Sequence, residues 1–192
     1  MVDKVQIDRD FRVFFRLQGT MEIDDLGIIN VNGDVIAREE FQGPHLPLQF
    51  GVIKGDMDLQ FQPHLKDLQG APSEVGGTFR VRAENLTHLT GAPHQVSGTC
   101  KISSMHLQSL EHLPEYVWQM RLTITHTLPL LRLTEKNYPV FWAYPVAQGG
   151  SQDPRNSAAT AIIAKYQDTG KAGAIKAAVE LIRAGCKENA RW

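Results

Sequence analysis

The sequence predicts a mainly β protein, built as a solenoid of about five stacked coils and followed by a helical hairpin. Leucines recur at a fixed step of 21 residues through the middle of the chain, and short segments between them alternate apolar and polar residues. Alternation with period two is typical of a strand with one buried face, and a repeat of this length is typical of stacked units. In the C-terminal part, apolar residues recur instead at helical spacing.

The leucine repeat is the strongest feature of the sequence. Two leucine positions, three residues apart, recur at a step of 21: Leu65, Leu86, Leu107, Leu128 and Leu68, Leu89, Leu110, Leu131. Proline and valine positions keep the same step: Pro72, Pro93, Pro114 and Val75, Val96, Val117. Upstream the pattern continues with a step of 22, as from Ile53 to Val75. The predicted solenoid therefore covers 31–144.

Each unit predicts one strand, one turn and one irregular return. The strand is Val-x-Gly-x-φ-x-φ, where φ is apolar, and its alternation places one face in the core. Gly-Ala-Pro is turn chemistry, because glycine permits unusual dihedrals and proline fixes its own φ while lacking a donor. A single unit cannot bury its apolar face alone, so neighbouring units must stack with their strands about 4.8 Å apart.

The unit resembles the short bacterial leucine-rich repeat. It is similar in particular to the repeats of small proteins common in bacteriophage genomes, which read much like Leu-Thr-Ser-Leu-x-Gly-Ala-Pro-x-x-Val-Gly-Gly-x-Phe. The match is nearly literal at Leu65–Val81 and Leu86–Ile102 and extends over 31–143. The resemblance implies a leucine-rich-repeat-like β-solenoid in a phage-encoded protein.

The third clear unit departs from this pattern. Gln119 stands where a glycine is expected, and the apolar residues Met120, Leu122 and Ile124 are one residue out of phase with Cys100 and Ile102. Because a one-residue slip would move the buried face to the outside, we expect a bulge in this unit.

Both open ends of a solenoid need a cap. We expect an N-terminal β cap over 1–30, since Val5–Leu17 alternates well enough to form one or two strands. At the other end, the aromatic segment Tyr138–Tyr144 is expected to close the last coil. Residues 145–156 are predicted to be a linker, because they are rich in glycine and contain Pro154.

Residues 157–192 are predicted to form a C-terminal α-helical hairpin. Asn156 or Ser157 would cap a first helix that runs to about Asp168, and the second would run over about 171–184, with Gly185 as its stop signal. The segment also resembles the C-terminal tail that recurs in phage repeat proteins of this kind. Trp192 would either dock on the hairpin or be presented to a partner, since aromatic residues are enriched at binding hot spots.

Charged residues on the predicted strand face are the candidate partner-binding residues. The early coils carry acidic residues and the later coils basic ones: Asp34, Asp56, Asp58 and then Arg80, Arg82, Lys101, Arg121. Stacking would place an acidic patch beside a basic patch. A solvated face and a binding face both remain open, because repeat proteins often bind through such extended surfaces.

Composition and motifs offer little support for other chemistry. The net charge of −1 directs the chain neither to nucleic acid nor to an anionic membrane, and no apolar run approaches the roughly 18 residues of a membrane span. The N-terminus lacks the apolar core of a secretory signal. No metal or cofactor is expected, since the histidines have no ligand cluster around them. Cys100 occupies an inward apolar position, whereas Cys186 follows the second helix and could be exposed.

These observations favour a non-enzymatic protein–protein interaction module that binds a host or phage protein in the cytoplasm of an infected bacterium. Its contacts would be the charged strand face, the hairpin, or both. Two alternatives stay open. One is a minor structural or decorating protein of the virion, and the other is an enzyme that uses isolated residues such as His126 or Cys186, for which no paired base is apparent.

Overall fold

The computed structural model describes residues 2–38, 42–124, 131–133, 140–142, 144–145, 154–166 and 169–190. The protein is mainly β, with a β-solenoid of about four turns and C-terminal helices. The elements in chain order are α1 (Lys4–Phe14), β1 (Phe15–Ile23), β2 (Ile29–Ala37), β3 (Phe50–Ile53), β4 (Met57–Leu59), β5 (Glu74–Val75), β6 (Phe79–Arg82), β7 (Gln95–Ser103), β8 (Tyr116–Ile124), β9 (Leu131–Leu133), β10 (Val140–Trp142), β11 (Tyr144–Pro145), α2 (Pro154–Tyr166), α3 (Gly170–Arg183) and the 3-10 helix Lys187–Ala190.

One parallel sheet forms the strand wall of the solenoid. The nine-residue strand β2 pairs with both β3 and β4, and β7 pairs with both β5 and β6 and then with β8. The short strands are therefore halves of one strand level that is interrupted in its middle. The register places Met57 beside Phe79 and Phe79 beside Cys100, as the 22- and 21-residue steps predict.

The apolar positions of the repeat form the core. Strand positions such as Ile53, Val75 and Val96 are fully buried. The repeated leucines of the return segments face them from the opposite wall and are also buried: Leu65, Leu68, Leu86, Leu89, Leu107 and Leu110. The predicted solenoid and its inward face are therefore confirmed.

Side-chain oxygens continue the hydrogen-bond ladder where the strand levels are interrupted. Asp34 accepts a bond from the N–H of Asp56 (2.8 Å), and Asp56 in turn accepts one from the N–H of Thr78 (2.7 Å). A Cβ atom added at Gly55 would lie 2.1 Å from Oδ1 of Asp34. The glycine of the strand motif is therefore needed so that these carboxylates can reach the next coil.

Phe61 is the additional residue that makes one unit 22 residues long. Leu59 pairs with Val81, which is 22 positions further along the chain. Beyond this pair the step is 21, because Gln62 and Ala83 donate equivalent backbone bonds to the next strand level, of 3.2 and 3.1 Å. The inserted residue has a φ of +60° and is 60% exposed. Its ring is therefore displaced from the coil into solvent.

The bulge expected in the third clear unit is confirmed. Pairing between β7 and β8 passes from Val96 opposite Val117 to Cys100 opposite Met120, so the step falls from 21 to 20 residues. The irregularity lies at Trp118, which follows Val117 and is 83% exposed. The slip keeps the apolar residues of β8 directed inward, since Leu122 remains buried.

The N-terminal segment corrects one prediction. We expected strands over Val5–Leu17, but α1 occupies Lys4–Phe14 and β1 begins only at Phe15. The side chain of Asp3 caps the helix by accepting two backbone bonds of 3.0 and 3.1 Å. Phe11 is directed into the core and stacks against Phe15 with ring centroids 5.5 Å apart. The alternating pattern is overridden because helical spacing buries this phenylalanine.

The C-terminal helices lie close to their predicted positions. Pro154 begins α2, two to three residues before the expected cap, because proline suits the first helical turn, where its missing N–H leaves no bond unmade. The two helices are linked by an ion pair of 2.9 Å between Lys165 and Glu180. Gly185, with a φ of +79°, follows the end of α3. Most of Tyr138–Tyr144 lies outside the described residues, although Tyr144 pairs with β8.

Candidate functional site

Four consecutive strand levels align charged side chains on the outer face of the sheet. Asp58 on β4 pairs with Arg80 on β6, Arg80 with Lys101 on β7, and Lys101 with Arg121 on β8. Adjacent parallel strands lie about 4.8 Å apart, so the row brings three cations together beside one carboxylate.

These cations surround an open depression of about 280 Å³, which we call the basic depression. Its polar lining consists of Gln60, Arg80, Arg82, Lys101, Ser103 and Arg121. The buried residues Val81 and Ile102 form its floor. The fold thus brings all four basic candidate residues into a single site.

The cations of the basic depression differ in how they are engaged. Arg80 donates to Asp58 over 2.7 Å in a half-buried ion pair, and the guanidinium of Arg82 lies 5.4 Å from the centroid of the Phe61 ring. Within the part of the chain that the structure describes, Lys101 and Arg121 have neither an ion-pair nor a hydrogen-bond partner. The site therefore presents uncompensated positive charge on β7 and β8.

The predicted acidic patch is engaged within the chain itself. Asp34 and Asp56 accept backbone hydrogen bonds from the next coil, and Asp58 is bound by Arg80. These three carboxylates therefore stabilise the stacking of neighbouring coils. The acidic and basic halves of the strand face are not equivalent surfaces.

Sequence reasoning missed two exposed aromatic residues that lie next to the basic depression. Phe61 lies beneath Arg82, and Trp118 precedes Arg121 on the same strand. Both occur where the repeat changes length, from 22 to 21 residues at Phe61 and from 21 to 20 at Trp118. The change in spacing was the signal that could have identified them.

Cys100 is a core residue, as predicted. Its side chain is fully buried, and burial raises the pKa of the thiol to about 12. The suggestion that Cys186 could be exposed is wrong, because that residue is also buried. His126 and Trp192 lie outside the described residues.

Cys100 should be almost inert to iodoacetamide in the native protein. A thiol pKa of about 12 leaves roughly one thiol in ten thousand ionised at pH 8, and the side chain is shielded from the reagent. We expect labelling at least about a hundredfold slower than in denaturing guanidinium chloride, since it requires local or global opening. Mass spectrometry of the digested protein would measure this at each cysteine. Equal rates in the two conditions would contradict the burial of Cys100.

The described residues offer few other kinds of site. They contain no group of three or more metal-ligating side chains that could hold an ion. None of the helices in this part of the chain combines the length and apolar character of a membrane span.

No family model, curated protein or solved structure matches this chain. The fold and the site together describe a repeat protein: a mainly β solenoid that concentrates cations on one part of its strand face.

Proposed function

We propose that this protein is a non-enzymatic protein–protein interaction module that binds an acidic segment of its partner in the basic depression. The observation that carries the proposal is the pair of cations, Lys101 and Arg121, which have no partner among the described residues. Like charges on adjacent strands repel each other, and an anionic partner relieves that repulsion. Arg121 favours carboxylates, because its planar guanidinium can donate two parallel bonds.

The surroundings of the depression support a protein partner. Asp58 holds Arg80 in place, and the ring of Phe61 supports Arg82, so two of the cations are already oriented. Preorganised side chains lose less entropy on binding than mobile ones. Trp118 adds exposed aromatic surface, which is the kind of residue that dominates the energetics of protein interfaces.

We also propose the finer assignments of the fold. The chain would be a leucine-rich-repeat-like protein of the bacteriophage kind, with five coils, acting in the infected bacterial cytoplasm. The repeat unit at Leu65–Val81 supports the family assignment. α1 and β1 would together form the N-terminal cap, supported by Phe11 and Phe15, which pack against Phe50 of the adjacent coil with ring centroids 6.2 and 5.1 Å away.

Binding of a fluorescein-labelled peptide that alternates glutamate and serine would test the proposal. We expect saturable binding that weakens as salt is added, and at least about a tenfold loss of affinity in the Lys101→Glu, Arg121→Glu double variant. The matched control is Lys54→Glu, Lys66→Glu, which makes the same change of charge at exposed residues outside the depression. That control should retain wild-type affinity to within about threefold, since distant charges are screened.

Two results would contradict the proposal. Equal loss of affinity in both double variants would show that only net charge matters. A single-stranded oligothymidylate that binds more tightly than the peptide, and is released by Lys101→Glu, Arg121→Glu, would assign the depression to nucleic acid instead.

A further inference from the structure

β1 is the outermost strand at the N-terminal edge of the sheet. Its nine residues pair with β2, and β1 has no other strand partner among the described residues. The middle of the strand, Gln18–Thr20, is exposed. An exposed edge strand of this length is a template for pairing with another strand.

The backbone bonds of the β1–β2 hairpin determine which groups point toward the open edge. Arg38 donates its N–H to Phe14 (2.9 Å), and Asp24 donates its N–H to Ile28 (3.0 Å). Both bonds place the even-numbered residues of β1 in the hydrogen-bonded pairs with β2, because such pairs alternate along an antiparallel ladder. The odd-numbered residues of β1 therefore direct their N–H and C=O groups away from β2.

We propose that β1 pairs with β1 of a second copy of this chain, antiparallel and centred on Gly19. In this register Leu17 lies opposite Met21 of the other copy, and Arg16 lies opposite Glu22. Because the two copies are related by a two-fold axis, each pair occurs twice. The sequence of β1 is thus complementary to itself in both charge and hydrophobicity.

The hydrogen bonding agrees with this register. Every pair that exchanges backbone bonds across the axis joins two odd-numbered residues, whose N–H and C=O groups are those that point outward. Arg16 and Glu22 then form a non-hydrogen-bonded pair, in which opposing side chains approach most closely. Both side chains are exposed, and neither has an ion-pair partner among the described residues. Gly19 faces its own copy at the axis, where it presents no side chain.

Sedimentation equilibrium over a concentration series would test this pairing. The wild-type protein is expected to dimerise reversibly. Arg16→Glu and Glu22→Arg should each raise the dimer dissociation constant at least about tenfold, because each replaces two attractive pairs with two repulsive ones. The double variant Arg16→Glu, Glu22→Arg restores both pairs and should return to within about threefold of the wild type.

Amide hydrogen exchange gives a second readout that needs no variant. The N–H groups of Leu17, Gly19 and Met21 should become protected only as the protein concentration rises. Those of Gln18 and Thr20 bind β2 and should be protected at every concentration. A wild-type protein that stays monomeric, or a dimer in which single reversals and these exchange rates are unaffected, would overturn the proposal. Because β1 is separate from the basic depression, failure of one proposal leaves the other intact.

Discussion

Replacing Phe79 with alanine is expected to lower the free energy of unfolding by about 3–5 kcal/mol. Phe79 is fully buried and stacks between Met57 and Cys100 of the neighbouring coils. Truncation removes apolar contacts and leaves a cavity that parallel strands on both sides prevent from closing. Since a domain of this kind is stable by only about 5–15 kcal/mol, the variant should lose a large part of its stability.

Phe61→Ala provides the matched control, because it removes the same side chain from an adjacent coil. That ring is 60% exposed and contacts the guanidinium of Arg82. Its removal should cost no more than about 1 kcal/mol, the typical value of an exposed cation–π contact. Urea unfolding followed by circular dichroism would measure both variants. Equal destabilisation would show that Phe79 is not at the centre of the core.

Gly91→Ala is expected to be the second large effect, with a loss of about 3 kcal/mol or more. Gly91 opens a Gly-Ala-Pro turn with a φ of +85°, which costs an L-residue about 1–2 kcal/mol. A Cβ atom there would also lie 2.5 Å from the carbonyl oxygen of Leu68 in the preceding coil. Relief of that clash requires the two coils to move apart.

Gly185→Ala separates the two contributions to this loss. Gly185 has a similar φ of +79°, but nothing lies within 4 Å of its added Cβ. This variant should show only the conformational cost, about 1–2 kcal/mol. The difference between the two unfolding free energies then measures the close approach of the coils. If Gly91→Ala costs no more than Gly185→Ala, neighbouring returns are not in tight contact at this turn.

Much of the fold could be predicted from the sequence, because stacking makes each coil repeat the environment of the one before. Residues at equivalent positions, such as Leu65 and Leu86, are buried alike. The slip at Gln119 was also predictable, since only a bulge keeps the apolar residues inward. The helix α1 was missed because its segment carries both an alternating and a helical pattern. Only packing of Phe11 into the core distinguishes them.

The candidate site could be predicted in part. Outward strand positions identified the four cations of the basic depression, because register alone brings equivalent positions together. The engagement of Asp34 and Asp56 could not be predicted, since it depends on where the strand level is interrupted. Alternation marks a side chain as outward, but it does not distinguish a carboxylate that faces solvent from one that binds the backbone.

The unequal lengths of the repeats have a consequence for protein design. A consensus array built from the shared positions of these units would keep the leucines, the glycines and the Gly-Ala-Pro turns. It would also average away the extra residue at Phe61 and the shortened step at Trp118. Such an array should form a more regular and longer solenoid, yet it would lack both rings beside the basic depression. In this protein, regularity sustains the scaffold, while departures from regularity supply its individual surface.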